Sequence, residues 1–345
     1  MLGRFFYSTF YVLPCYYKKH KMPTVLITGG TGTVGKRLTQ LLIEKGYDVN
    51  ILSRSHSKPI HGINKDREDT IALENNAHGK LAYYKWDLAN QYIDPAAIGS
   101  ADFIVHLAGA GVADKRWTEA RKKEIANSRT QSSALIVSAL KENPNHVKAV
   151  ISASAIGWYG PDGSNTTAKK FVETDLHCHD FLGETCRVWE ASIEPVTQLN
   201  KRLVILRTGI VLSNEGGALV EFKKPLLFKT AAILGNGKQI ISWIHIDDLC
   251  NQYIYAIENQ AMNGVYNAVA PIPVTNAILT KALARKVCGS FFITINIPAF
   301  MLKILLGEMS IEILKSTTVS SNKIETAGFH FKFPDINKAV DELVG

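Results

Sequence analysis

The chain has 345 residues, 46% of them hydrophobic and 20% charged, enough to bury one large core and a smaller appendage. Its formal charge of +8 does not form a nucleic-acid stripe: Arg4, Lys18, Lys19 and Lys21 place half of the excess in the first 22 residues, and the rest is dispersed without interleaved aromatics. No run of roughly eighteen apolar residues marks a membrane span, and the five cysteines show neither CxxC nor paired spacing, which suits a reducing, cytoplasmic setting and offers no metal site.

Residues 1–22 read as an N-terminal extension. Its aromatic run ends at Pro14 and its lysines follow, the reverse of a secretory signal, so Met22-Pro23 is taken as the natural start. Then Val25-Leu26-Ile27-Thr28 fits a buried parallel strand. It leads into Gly29-Gly30-Thr31-Gly32-Thr33-Val34-Gly35 and a helix with Val34, Leu38, Leu41 and Leu42 on one face. Gly46 stops that helix, and Val49-Asn50-Ile51-Leu52 begins a second strand. A glycine-rich turn between strand and helix lets backbone N–H groups approach a pyrophosphate at the positive end of the helix dipole. Gly29, Thr31, Gly32, Thr33, Val34 and Gly35 are therefore candidate dinucleotide-binding residues.

Where an NAD site places a carboxylate for the ribose hydroxyls, this chain has Ser53 and Arg54. A hydroxyl and a guanidinium suit a 2′-phosphate, so NADP(H) is the expected cofactor. Residues 55–80 are polar and read as a loop; the next strand, 81–86, ends in Asp87-Leu88, and that over 103–107 in Leu107-Ala108-Gly109. Small residues there admit a flat ring, and ligands of doubly wound sheets bind at the strands' carboxyl ends. Asp87, Leu88, Leu107, Ala108 and Gly109 are assigned to the adenosine pocket.

A long helix is expected over 119–140, carrying Asn127, then a strand over 147–152 that runs into Ser154 and Tyr159. An amphipathic segment spans 181–199, and a strand over 203–206 ends at Arg207-Thr208. Asn127, Arg207 and Thr208 complete the candidate cofactor-binding set.

The motifs TGGTGTVG, SASAIGWYG, LRTGIVLS and SWIHIDDL resemble an extended short-chain dehydrogenase/reductase of the epimerase/dehydratase superfamily. More narrowly, HLAGAGVADKRW, DFLGETCRVWE, IPAFMLKILLGEM and AGFHFKFP resemble its atypical subfamily 39U, "epimerase family protein", with a small C-terminal domain of unassigned role. The resemblance runs in order from about residue 23 to the end. It implies a Rossmann-type doubly wound α/β fold with a nucleotide domain over 23–265, an excursion at 212–240 on the substrate side, and a mixed C-terminal domain over 266–345.

The ordinary members use a Ser, a Tyr and a Lys four residues later, the Lys acidifying the Tyr and the Ser steadying developing charge. Ser154 matches the Ser. Anchored on Glu190, Leu182 and Cys186 fall at the other two positions; one register away, Phe181 and Thr185 do. Neither register supplies a phenol or an amine. Tyr159, followed by Lys115, is the expected substitute, with Arg116, Glu184 and Cys186 as alternatives. Asp247 and Asp248 read as a helix-capping pair with His245 packed beside them, and 297–309 reads as an apolar hairpin-like segment that favours an apolar or amphiphilic ligand. Two functions follow: an NADP(H)-dependent oxidoreductase or epimerase with a non-standard active site acting on a small molecule, or a non-catalytic NADP(H)-binding redox sensor or assembly protein.

Overall fold

The computed structural model describes residues 22–54, 79–163 and 170–344. The readings of the N-terminal extension and of most of the polar loop after Arg54 fall outside them.

Seven parallel strands and one antiparallel edge make the central sheet. In chain order they begin with β1 (Thr24–Thr28), β2 (Asp48–Ser53), β3 (Leu81–Asp87) and β4 (Tyr92–Ile93). β5 (Phe103–His106), β6 (Ala149–Ala155), β7 (Arg202–Thr208) and the strand Gly264–Ala268 follow. In space the order is Gly264–Ala268, β7, β6, β5, β1, β2, β3, β4, with only β4 reversed. The winding changes direction between β1 and β5, which opens a crevice at the carboxyl ends of the strands. β1 is buried along its whole length, as a strand covered on both faces must be.

The helices α1 (Thr33–Glu44), α2 (Pro95–Ser100), α3 (Glu119–Glu142) and α4 (Phe181–Ile193) supply the crossovers. Leu38 and Leu42 of α1 share one core with Leu249, Tyr253 and Ile257 of the helix Ile246–Glu258. On the opposite face Ile98 of α2, Leu135 and Ile136 of α3 and Ile193 of α4 pack under Leu26, Ile104 and Val150. Two separate apolar cores on the two faces of one sheet define the doubly wound arrangement.

Outside the central sheet the chain forms short strands: Ile210–Ser213 with Gly216–Gly217 and Trp243–His245, and Thr230–Leu234 with Ile293–Ile297. The run from Ile240 to His245 forms two strands, Ile240–Ile241 pairing with Val274–Thr275 and Trp243–His245 with Ile210–Ser213, because the chain changes sheet at the buried Ser242. The segment read as hairpin-like contains two helices, Ala299–Leu306 and Met309–Leu314, separated at Gly307, whose φ of 62° a glycine adopts without strain. The capping expectation is corrected as well. His245 is the N-cap, its Nδ1 accepting the Asp247 N–H at 3.1 Å. Asp247 instead grips Arg37 at 2.6 and 2.9 Å, and Asp248 accepts the Lys332 and Phe333 amides at 2.8 Å each. These bonds tie the C-terminal region to the nucleotide-binding half.

Candidate active site at the carboxyl edge of the sheet

The turn between β1 and α1 is set by close backbone approaches. A methyl group on Gly35 would lie 2.3 Å from the Gly29 carbonyl oxygen, and one on Gly29, at φ +70°, 2.9 Å from the Leu107 carbonyl carbon. Only glycine lets α1 start this near the strand end. The helix start is also left open to ligand. Asp94, Thr118 and Asp180 cap α2, α3 and α4 with side-chain bonds, whereas Gly32 offers α1 none, and no acidic residue occupies its first turn. Among the described residues no side chain caps the first-turn N–H groups, which lie beside the exposed Thr31 and half-buried Thr33 and Val34. This cradle fits a dinucleotide pyrophosphate.

At the end expected to take the adenosine, Ser53 is half-buried at the tip of β2 and Arg54 is exposed next to it. Asp87 and Leu88 close β3, with Asp87 Oδ1 accepting the Ala89 and Asn90 amides at 2.9 and 3.2 Å. Leu107 and Ala108 are fixed by a residue that sequence reasoning had given no role beyond strand formation. Thr28 Oγ1 accepts both of their N–H groups at 3.1 Å. Its own proton therefore goes to His106 Nδ1, 2.7 Å away, and His106 Nε2–H faces Ser133 Oγ at 3.1 Å. Burial, reinforced by the Arg129 charge, pushes the His106 pKa down to about 3, so the ring is neutral with its proton on Nε2. Gly109 lies against the Arg129 side chain, and Asn127 is exposed on α3.

At the other end of the crevice β6 delivers Ser154, whose hydroxyl donates to Glu190 Oε1 of α4 at 2.6 Å. Arg207 holds the same carboxylate through both oxygens, at 2.8 and 2.9 Å, and donates to the Tyr159 hydroxyl at 3.1 Å. Tyr159 in turn donates to Asn267 Oδ1 at 2.7 Å. Its ring stacks on Phe171 and is 0% exposed, and burial pushes the phenol up to about 12. The structure thus brings Ser154, Tyr159 and Arg207 into one buried network, whereas Lys115 stands apart, exposed on the loop before α3. Thr208 is half-buried at the end of β7. Of the two α4 registers, the one that meets the end of β6 is Leu182 with Cys186. Both approach Gly157, and Cys186 Sγ donates to the Ala155 carbonyl at 3.5 Å. Thr185 instead bonds back to Phe181 within its own helix. Burial pushes the Cys186 thiol up to about 12, so it is a neutral, packed group. Beside it Val112, Trp117, Phe181, Leu182, Leu306 and Met309 form an apolar wall shared with the C-terminal region.

A doubly wound sheet with a glycine cradle at its switch point and a serine at the end of the fifth long strand is the nucleotide-binding scaffold of the extended short-chain dehydrogenases/reductases. Residues 25–268 match the model of the NAD dependent epimerase/dehydratase family, to which the chain belongs, and residues 297–343 match a domain of unknown function, DUF1731. The chain is 32% identical over 323 residues to Epimerase family protein SSP1921 of Staphylococcus saprophyticus, covering 94% of this chain and 100% of the relative. Among solved structures, human epimerase family protein SDR39U1 (isoform 2) with NADPH superposes with a TM-score of 0.76 at 27% identity, covering 93% of this chain and 99% of the other. A nucleoside-diphosphate sugar epimerase from Corynebacterium glutamicum gives 0.70 at 30% identity, covering 94% and 58%. The fold and the atypical subfamily expected from the motifs are those found.

Proposed function

We propose that the protein is an NADP(H)-dependent oxidoreductase or epimerase of an apolar or amphiphilic small molecule, with Ser154 and Glu190 serving where relatives use Tyr and Lys. The observation that carries this reading is the 2.6 Å bond from Ser154 to a carboxylate that Arg207 grips through both oxygens. The nicotinamide, when bound, supplies or takes up the hydride. Ser154 commits its proton to Glu190, so its lone pairs remain to accept the proton of a substrate hydroxyl as the Ser154 proton passes to Glu190 Oε1. Reduction of a carbonyl runs the same two transfers in reverse. Tyr159 acts behind this pair by holding Arg207. Ser53 and Arg54 support the 2′-phosphate, as does NADPH in the human relative. The wall of Val112, Leu182 and Leu306 supports an apolar substrate face.

A second reading, an NADP(H)-binding protein without turnover, is favoured by one feature: α4 holds neither tyrosine nor lysine. One measurement tests the cofactor that both readings share, and a second separates them. NADPH should bind more tightly than NADH, and Arg54→Ala should lose about tenfold or more of that preference. NADPH oxidation against a panel of carbonyl compounds should fall about a hundredfold or more in Glu190→Gln, with NADPH affinity of the folded fraction retained, although the variant melts lower because Arg207 stays buried without its carboxylate. Turnover unaffected by Glu190→Gln would remove the serine–glutamate assignment. NADPH binding with no turnover on any compound would establish the second reading.

A further inference from the structure

One surface of the C-terminal region breaks the rule that large apolar side chains are covered. The strand Ile293–Ile297 pairs with Thr230–Leu234 along one edge only, and its other edge has no partner among the described residues. Ala231 and Ile233 on the inner strand are buried, but the outer strand is exposed from Ile293 to Asn296. The two ends of this ribbon extend the apolar surface. Ile293 N–H donates to the Lys229 carbonyl at 2.9 Å, which brings the Leu227-Phe228 turn beside Phe291. At the far end Pro298 starts the helix Ala299–Leu306, which presents Ile304 and Leu305. Leu227, Phe228, Phe291, Ile293, Ile304 and Leu305 are each more than 65% exposed. Six such side chains expose several hundred Å² between them, roughly the largest apolar patch expected on a monomer or more.

Charge decides what covers it. Lys229 follows Phe228, Arg285 lies in the last helical turn before Phe291, and Lys303 precedes Ile304; none forms an ion pair among the described residues. The carboxylates of the same stretch are already engaged. Glu221 pairs with Lys224, Glu308 with Lys122 and Glu312 with Lys315, while Asp247 and Glu258 hold Arg37 and Lys45. Asp248 is held by backbone amides. The patch is therefore apolar with an uncompensated positive rim. A second copy related by a two-fold axis would meet that rim with its own cations, an arrangement that repels. A surface of anionic headgroups over acyl chains complements both features, the acyl region taking the apolar side chains and the headgroups the basic rim. Phenylalanine and leucine at protruding tips, flanked by lysine, also suit the headgroup boundary. No described helix is long and apolar enough to cross a membrane.

We propose that this face, the Leu227-Phe228 turn with the strand Ile293–Ile297 and the helix Ala299–Leu306, docks the protein on an anionic lipid bilayer. The test is co-flotation of the full chain with vesicles of phosphatidylcholine alone or mixed with phosphatidylglycerol. Wild type should float with the mixed vesicles, less with phosphatidylcholine, and progressively less as salt rises. Phe228→Ser with Phe291→Ser should reduce binding about tenfold or more, since each removes a buried aromatic anchor. Lys229→Glu with Lys303→Glu should abolish the preference for the mixed vesicles. NADPH affinity and melting temperature should stay at wild-type values in both double variants, which separates lost docking from lost folding. No flotation of wild type with mixed vesicles would overturn the proposal. So would a wild-type dimer, seen by light scattering, that the phenylalanine substitutions dissociate, because a second copy would then own the face.

Discussion

The two ends of the crevice are made of different material. The phosphate end is backbone: glycines packed on one another and a helix start without a side-chain cap. The proposed hydride end is side chain: Ser154, Glu190, Arg207, Tyr159 and Asn267 joined in one buried chain of hydrogen bonds. A backbone device depends on the absence of atoms, and almost any change at Gly29 or Gly35 adds some. A side-chain device can exchange its members so long as every buried donor and acceptor finds a partner. That contrast accounts for a glycine cradle of the family pattern beside an α4 that carries neither tyrosine nor lysine.

Breaking the hydride end should cost most in stability. Arg207→Met leaves Glu190 as an unpaired buried carboxylate, a change that typically costs about 3–5 kcal/mol. Urea unfolding should show that loss, Arg207→Met with Glu190→Met should recover much of it, and NADPH affinity of the folded fraction should change little. A folded, fully stable Arg207→Met would show that the network is ornamental to the fold.

The adenosine side should reveal itself through acid. His106 is neutral in the fold with a pKa of about 3, and ordinary, near 6.5, when unfolded. Below pH 6.5 the unfolded chain binds the extra proton, so this contribution to stability is complete above about pH 6.5. It falls as the pH drops toward 3, by up to roughly 4 kcal/mol. Stability measured across that range should decline less steeply in His106→Asn, whose carbonyl can still accept the Thr28 hydroxyl. Identical slopes would mean that other groups carry the acid response.

At the phosphate end the expected effect on stability is smaller and the effect on affinity larger. Gly35→Ala forces a methyl into the Gly29 carbonyl, about 1–3 kcal/mol of overpacking, and should weaken NADPH binding while leaving the Ser154 network intact. Gly99→Ala in α2 is the control. Its methyl would sit 3.6 Å from the Pro144 carbonyl, and it should be neutral or slightly stabilising. NADPH titration of the two variants distinguishes a steric cradle from a general intolerance of added atoms.

What the sequence made legible follows the same division. The cradle is contiguous, seven residues running from the end of a strand into the first turn of a helix, and the parallel strands announce themselves as apolar runs, so the doubly wound fold could be read from local pattern. The hydride end could not. Glu190 lies 36 positions from Ser154 and sits on an amphipathic helix, where one glutamate looks like a solvated face. Asn267 carries no periodicity or motif that marks it, and Thr28, though it opens the TGGTGTVG motif, gives no local sign that its hydroxyl holds the Leu107 and Ala108 amides. The pattern at 293–297 also misleads: alternating Ile, Thr and Asn describes a strand with one buried face, and that strand is exposed. Capping at the helix Ile246–Glu258 went to His245 because Arg37 and the Lys332 and Phe333 amides compete for the two aspartates.

The hairpin of Ile210–Ser213 and Gly216–Gly217 lies over the cradle, near enough that a methyl on Gly216 would come within 2.8 Å of Thr33 Oγ1. A strand remote in sequence thus closes on the start of α1. Gly216 is therefore a spacer between two parts of the fold: a methyl there would press on the first turn of α1 from outside the first βαβ unit, through Thr33 and without touching any glycine of the turn itself.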